Sequence, residues 1–451
     1  MSRPADAEYL IEPRWLLPVA PGNTVLDGQA VAVGRGRILA VGAAAELRER
    51  YAGHTRIVRE KHALIPGLVN AHTCACHILL RGLPVRGPRL RWLNDTLAPL
   101  ERRALSADLV RDGTRLAVAE MLRAGITCYA DDAPLPEEAA RVAASAQVRA
   151  VIGLPVSDGA DAWAEDASGH LARAEALWDE YRSDARIGLY FAPRPAQGLS
   201  DATWIRVRRV ADELDARVVV HLEELAPADA VEGYLGRRAD AAGVADSVAR
   251  TRPAAGVRRL AHLQELGLLR PGFAVAGALG CNGEENQLLL RHGALTITCP
   301  QAELRLQSGS VSLPATRTTA LGTDTPAASG ALDMLAEART AALIFGLPPL
   351  EALRLATLGG ATVLGLAAEI GSIEPGKSAD LTCLDLDAAG CQPSSDVAAA
   401  ILFGATRAQV SDVWSCGRTV VADGRLRLFD EAELAALGAS WARRLSLDAA
   451  A

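Results

Sequence analysis

The stretch PGLVNAHTCACHILLRG places His72 and Cys74 two residues apart at the end of an apolar run. Alternate residues of a strand share a face, so an imidazole and a thiol there point at a common position, as two ligands of a zinc-type ion must. RVVVHLEE ends a second apolar run on His221, with Glu224 three residues on, and LGTD ends a third on Asp324. A neutral imidazole binds zinc well, and a nearby carboxylate can take a proton from bound water whose pKa the metal lowers towards about 7. His72, Cys74, His221 and Asp324 are therefore candidate metal ligands, and Glu224, Asp324 and His221 candidate catalytic groups. Any one of them also serves as a capping group; their shared position at strand ends joins them into one site. Cys76 and His77 read more simply as a small buried residue and a satisfied polar group on the following loop.

Such groups need a scaffold that collects strand ends. Short apolar runs recur along the chain (LIPGLVNAH, ITCYADD, RAVIGLP, IGLYFAP, RVVVHLEE, FAVAGALG, ALTITCP, TALGTD), separated by segments of helical periodicity such as SADLVRDGTRLAVAEMLRAG. Strands alternating with helices predict an α/β fold, a (β/α)₈ TIM-type barrel, whose catalytic groups gather at the C-terminal ends of the strands. His72, Asp131, Asp132, His221, Glu224 and Asp324 all fall there. β-rich patterns with Gly turns occupy Tyr9 to Ile65 and return at Asp380 to Leu428. The expected organisation is a barrel over residues 66–368 and a β-sandwich domain composed of both termini, residues 1–65 and 369–451.

Composition narrows the partners. The 451 residues are 50% hydrophobic and 22% charged, with a net charge of -7. That balance suits a soluble globular chain and lacks the positive excess that nucleic acid requires. No apolar run is long enough to span a bilayer, and the first ten residues carry Asp6 and Glu8 instead of a signal core. A cytoplasmic protein with a small-molecule substrate is expected, without nucleic-acid or membrane partners. Eight scattered cysteines in such a chain favour reduced thiols. Aromatics are few; Trp92, Trp163 and Phe191 are candidates for stacking a flat ring.

The chain resembles the amidohydrolase superfamily, specifically its triazine hydrolase and methylthioadenosine or S-adenosylhomocysteine deaminase branch. The likeness is carried by PGLVNAHT with LLRG, WLNDTLAPLE, RLAVAEMLRAGITCYAD, HLEE, LGTD with LDML, and the late ATLGGATVLGL, IGSIEPGKSADL and VVADGRL. It implies the barrel with its composite terminal domain, a homodimer, and hydrolysis of non-peptide carbon–nitrogen bonds. The implied enzyme is an aminohydrolase (deaminase) acting on a heteroaromatic or nucleoside-type small molecule. His72 and His221 match ligands, Glu224 the proton-shuttling carboxylate and Asp324 the last-strand aspartate. Glu101 matches a glutamate that contacts a substrate ribose and Arg149 a pocket arginine, while Arg194 replaces the histidine of a Pro-His-Ala motif; these three are the candidate substrate-binding residues. Glu101 reads equally as a solvated charge at a helix end.

Several positions depart from the family pattern. Cys74 stands where the second histidine of His-x-His belongs, Gly277 where a sixth-strand histidine belongs, and Pro300, Gln301, Ala302 and Glu303 replace Pro-Thr-Ser-Asn. Zn²⁺ is the candidate metal, and with both histidines missing its occupancy is expected to be weak or absent. A bridging carboxylated lysine is excluded, because the chain's two lysines, Lys61 and Lys377, lie outside the barrel strands. No organic cofactor is called for. The alternative readings are a metal-independent enzyme using Glu224, Asp324 and the histidines as acid and base groups, or a non-catalytic member.

Overall fold

The computed structural model describes residues 7–52, 54–85, 89–194, 198–221, 259–278, 281, 283–306, 319–393 and 395–450. Eight parallel strands form one sheet in chain order: β1 (Leu68–Thr73), β2 (Ile126–Asp131), β3 (Arg149–Val156), β4 (Ile187–Pro193), β5 (Arg217–His221), β6 (Phe273–Ala276), β7 (Leu295–Thr298) and β8 (Thr319–Leu321). A parallel bridge between Thr73 and Asp324 brings the last strand back to the first, so the sheet is the expected (β/α)₈ barrel. Every residue of β1, β2 and β3 is buried. Helices cover the outside and side chains fill the inside, which is why these strands read as unbroken apolar runs instead of alternating ones.

The intervening helices begin where the sequence supplies side-chain acceptors. Ser106 accepts from the Leu109 N–H before helix Ala107–Arg123, Asp166 from Gly169 before Ala167–Tyr181, and Ser200 from Thr203 before Asp201–Glu213. Each such cap stabilises its helix by about 1 kcal/mol. The long C-terminal helix Glu431–Ala450 returns to Ala107–Arg123, with Trp441 Nε1 donating to Asp112 Oδ2 at 3.0 Å and Arg115 paired with Glu433 at 2.9 Å.

Both ends of the chain build a second, nine-stranded mixed sheet. Its hub is Thr55–Pro66, which runs parallel to Tyr9–Leu16 on one side and antiparallel to Leu381–Asp385 on the other. After Gly67 the same segment continues into β1, so the terminal sheet and the barrel share one continuous stretch of backbone. Among the described residues no helix is long and apolar enough to cross a membrane.

Candidate active site at the barrel mouth

The first and last barrel strands are locked together where the site begins. Asn70 donates through Nδ2 to Thr323 Oγ1 at 2.8 Å and accepts from the Thr323 N–H at 3.0 Å. The His72 carbonyl accepts from both the Thr323 and Asp324 amides at 3.0 Å, and Thr73 Oγ1 donates to the Asp324 carbonyl at 2.8 Å. A Cβ at Gly322 would lie 2.7 Å from the His72 carbonyl oxygen, so this close approach requires glycine. Asp324 follows with φ of 54°, a left-handed conformation that few non-glycine residues adopt. Its Oδ1 accepts from the Thr325 amide at 2.7 Å, a local bond that holds the strained residue with its carboxylate fixed.

This closure brings three sequence candidates together. One ligating atom each from His72, His221 and Asp324 lie within 4.8 Å of one another, and all three residues are buried. The His72 and His221 rings are 5.6 Å apart, and His72 Nε2 stands 4.0 Å from Asp324 Oδ1. His221 ends β5, level with Ala276 of β6, so its imidazole lies over Gly277. A Cβ on Gly277, whose φ is 74°, would come within 2.5 Å of His221 Cε1. Glycine at this position thus makes room for the His221 ring, and a histidine there would need both a strained backbone and a displaced His221.

The electrostatics fit a metal in the protonation states they impose. Burial, with the nearby Arg89 guanidinium, pushes the His221 pKa well below the usual histidine range, leaving a neutral imidazole with a free lone pair. Burial alone would raise the Asp324 carboxyl, but Arg89 and the two imidazoles hold it well below the usual carboxylate range, so it is ionised. Nδ1 of His72 and Nδ1 of His221 are buried without a hydrogen-bond partner. Two imidazoles with unpartnered ring nitrogens and one carboxylate are the donor chemistry of a three-ligand catalytic zinc site.

Cys74 is placed elsewhere. Its Sγ lies 4.0 Å from Cys76 Sγ, and Cys74, Cys76 and His77 form a separate buried trio, each ligating atom within 4.8 Å of the others. The contact with Cys76 and burial together push the Cys74 thiol well above its ordinary pKa. The six-residue turn Ala75–Leu80 that follows β1 carries Cys76 and His77 and buries both. His77 in that turn is buried, with Nδ1 3.0 Å from Thr325 Oγ1 and Nε2 3.4 Å from Glu101 Oε1. Glu101 thereby reaches the residue next to Asp324 through one imidazole.

The remaining candidates divide between the two ends of the barrel. Arg194, just past β4, donates to the carbonyls of Asp132 and Ala133 at 3.0 Å each and so braces the loop after β2. Asp132 accepts from the Tyr190 hydroxyl and presents Oδ2 3.7 Å from His72 Nδ1. Asp131 accepts from the Ala75 amide at 2.9 Å, and burial pushes its pKa up to about 7. Arg149 begins β3, at the opposite end of the barrel from the mouth, and reaches the Ala185 carbonyl, Ser378 Oγ and Asp380. Trp92, Trp163 and Phe191 are buried in the core. All eight cysteines are free thiols. Glu224 lies outside the described residues.

Arg89 is a site residue that the sequence did not reveal. It begins the short helix Arg89–Trp92. Its buried guanidinium forks onto Asp324, Nη1 to Oδ2 and Nη2 to Oδ1 at 3.3 Å. In RGPRLRW it reads as one surface charge among several. The available signal was indirect: a strand-end carboxylate whose two expected histidine neighbours are replaced by Cys74 and Gly277 still needs positive charge nearby.

A closed barrel with a strand-end His/His/Asp trio defines an amidohydrolase-type hydrolase. Residues 63–420 match the amidohydrolase family, and the chain belongs to that family. It is a hydrolase acting on carbon–nitrogen bonds other than peptide bonds. It is 32% identical to a 5-methylthioadenosine/S-adenosylhomocysteine deaminase of Teredinibacter turnerae, over 99% of each chain. The crystal structure of an adenosine deaminase from Xanthomonas campestris with bound zinc is 37% identical and superposes with a TM-score of 0.88, covering 98% of this chain and 99% of that one. The atrazine chlorohydrolase of Arthrobacter aurescens, 20% identical with a TM-score of 0.81 over 96% of this chain and all of that one (100%), shares the fold.

Proposed function

We propose that this protein is an aminohydrolase that removes the exocyclic amino group of a 6-aminopurine nucleoside or a close relative. The observation that carries the reading is the convergence of His72, His221 and Asp324 at the barrel mouth. Similarity to deaminases over nearly the whole chain supports the substrate class.

The reaction exchanges a carbon–nitrogen bond for a carbon–oxygen bond, with water consumed and ammonia released. His72, His221 and Asp324 would hold a zinc-type ion, which when bound supplies a water acidic enough to act as nucleophile near neutral pH. The protein's own groups supply the rest. His221, neutral because it is buried, keeps a lone pair available for coordination. Asp324, ionised because cationic and imidazole groups surround it, accepts a hydrogen bond and fixes where the attacking oxygen lies. Glu224, three residues after His221, carries the proton from the nucleophile to the ring nitrogen and then to the departing amine. Glu101, braced by His77, contacts the sugar, and Arg194, which braces the loop after β2, helps to bind the substrate. Cys74 is not assigned a ligand role.

The test is ammonia release with chromatographic identification of the product. Adenosine, 5′-methylthioadenosine and S-adenosylhomocysteine would each be offered to the purified protein with and without added Zn²⁺. Conversion of at least one to its 6-oxo product is expected; no conversion of any, in folded protein at saturating zinc, would overturn the reading.

A further inference from the structure

The trio at the barrel mouth already contains a cation. Arg89, with 6% of its surface exposed, engages both carboxylate oxygens of Asp324 through Nη1 and Nη2. The same Oδ1 that faces Nη2 stands 4.0 Å from His72 Nε2. A divalent ion held by these side chains needs that carboxylate, both as a ligand and as the negative charge that offsets removing the ion from water. With Arg89 in place, both oxygens of the carboxylate that an ion would need are already engaged by a positive charge.

We propose that Arg89 is a built-in competitor for the metal: its guanidinium occupies the Asp324 carboxylate, and metal loading requires Arg89 to withdraw. This rests on reading His72, His221 and Asp324 as a cation site. The residue type matters. A lysine in the same place could yield its proton to make way for an ion, whereas a guanidinium stays charged at every physiological pH and its planar fork matches a carboxylate on two oxygens. Arg89 must therefore leave as a whole side chain. Metal binding is then coupled to a rearrangement at the helix Arg89–Trp92, one of whose residues, Trp92, is anchored through Nε1 to the Pro84 carbonyl at 2.9 Å. A guanidinium and a metal are alternative occupants of one carboxylate, so the affinity for metal falls by whatever the Arg89–Asp324 contact contributes.

The experiment measures Zn²⁺ affinity by competition with a chromophoric chelator, and zinc content by elemental analysis, for the full-length wild type, Arg89→Met, and Arg89→Met combined with Asp324→Asn. Arg89→Met is expected to bind zinc at least about tenfold more tightly than wild type, with the gain abolished by Asp324→Asn. Arg89→Met leaves Asp324 buried without its partner, so its metal-free form should melt lower, and zinc should raise its melting temperature by more than it raises that of the wild type. Equal or weaker zinc affinity in folded Arg89→Met overturns the inference. A wild type that keeps stoichiometric zinc through dialysis against a strong chelator also overturns it, leaves the trio standing as a metal site, and requires no variant to fold. Absence of zinc binding in both the wild type and a folded Arg89→Met overturns the inference and the metal reading of the trio together.

Discussion

Arg89–Asp324 at the mouth of the barrel and Arg149–Asp380 at its base are both buried arginine–aspartate pairs that tie a barrel strand to another part of the chain. They differ in what surrounds them. At the base, Arg149 Nη2 stands 3.6 Å from Asp380 Oδ2, and the guanidinium shares itself among the Ala185 carbonyl at 3.1 Å, Ser378 Oγ at 3.3 Å and Cys416 Sγ at 3.4 Å. Ser378 Oγ in turn donates to Asp380. Burial prevails there and pushes the Asp380 carboxyl up despite its partners. At the mouth, Arg89 meets both oxygens of the Asp324 carboxylate beside two imidazoles with unpartnered nitrogens, and the Asp324 carboxyl moves in the opposite direction. The base is a joint between barrel and terminal sheet in which contacts are spread over many partners. The mouth keeps a fully ionised carboxylate and unused lone pairs close together, an arrangement that makes little sense for stability and much for chemistry.

That contrast can be broken at its base first. Arg149→Met leaves Asp380 buried without its cation and should destabilise the protein by about 3–5 kcal/mol, read as a lower midpoint in denaturant unfolding. If the base is a joint, KM in the surviving folded enzyme stays as it was; a raised KM would instead return Arg149 to the substrate pocket that the family resemblance implies for it. A smaller effect is expected from Gly277→Ala at the mouth. A methyl group at a positive φ, 2.5 Å from His221 Cε1, should cost about 1–3 kcal/mol and displace the imidazole, so turnover and thermal stability should fall together. Alanine tolerated without loss of either would mean that the His221 ring does not lie over Gly277.

The smallest effect belongs to the terminal sheet. Glu12 is gripped by Arg56 and Arg48, at 2.7 and 2.6 Å, which lowers its pKa from 4.5 to about 2 against the opposing effect of burial. A depressed folded pKa stabilises the fold above the unfolded value and ceases to do so as the carboxyl protonates. The contribution should therefore be complete above pH 4.5 and disappear as the pH falls towards about 2. Both arginines are half exposed, so the loss should reach only about 1 kcal/mol after solvent screening. Glu12→Gln should flatten that part of the acid unfolding curve; an unchanged curve would show that the grip does not persist in solution.

The barrel was legible in the sequence because parallel strands covered on both faces must be apolar throughout, and ITCYAD or RVVVH can be little else between helical segments. The trio was legible for a related reason: a histidine or aspartate terminating such a run has to emerge at the strand's C-terminal end. What lies between strands was harder to read. Cys74 shares the strand-face parity of His72 on paper, yet the chain enters a tight turn at Ala75 and carries its thiol towards Cys76 and His77. Arg149 starts its strand, and the first residue of a barrel strand faces the base, so strand polarity argued against a place in the pocket even where family likeness suggested one. Arg89 left no local mark, since its burial depends on a long-range contact across 235 positions of the chain.

Asp324 carries the most roles at the mouth: it pairs with Arg89, and in the proposed reaction it would ligate the metal and orient the nucleophile. The decisive measurement is the rate of ammonia release by Asp324→Asn, compared with wild type on the best nucleoside substrate and in protein that still unfolds cooperatively. The predicted result is a loss of about 10²-fold or more in turnover. Turnover equal to that of the wild type would place the chemistry away from the barrel mouth and contradict the account.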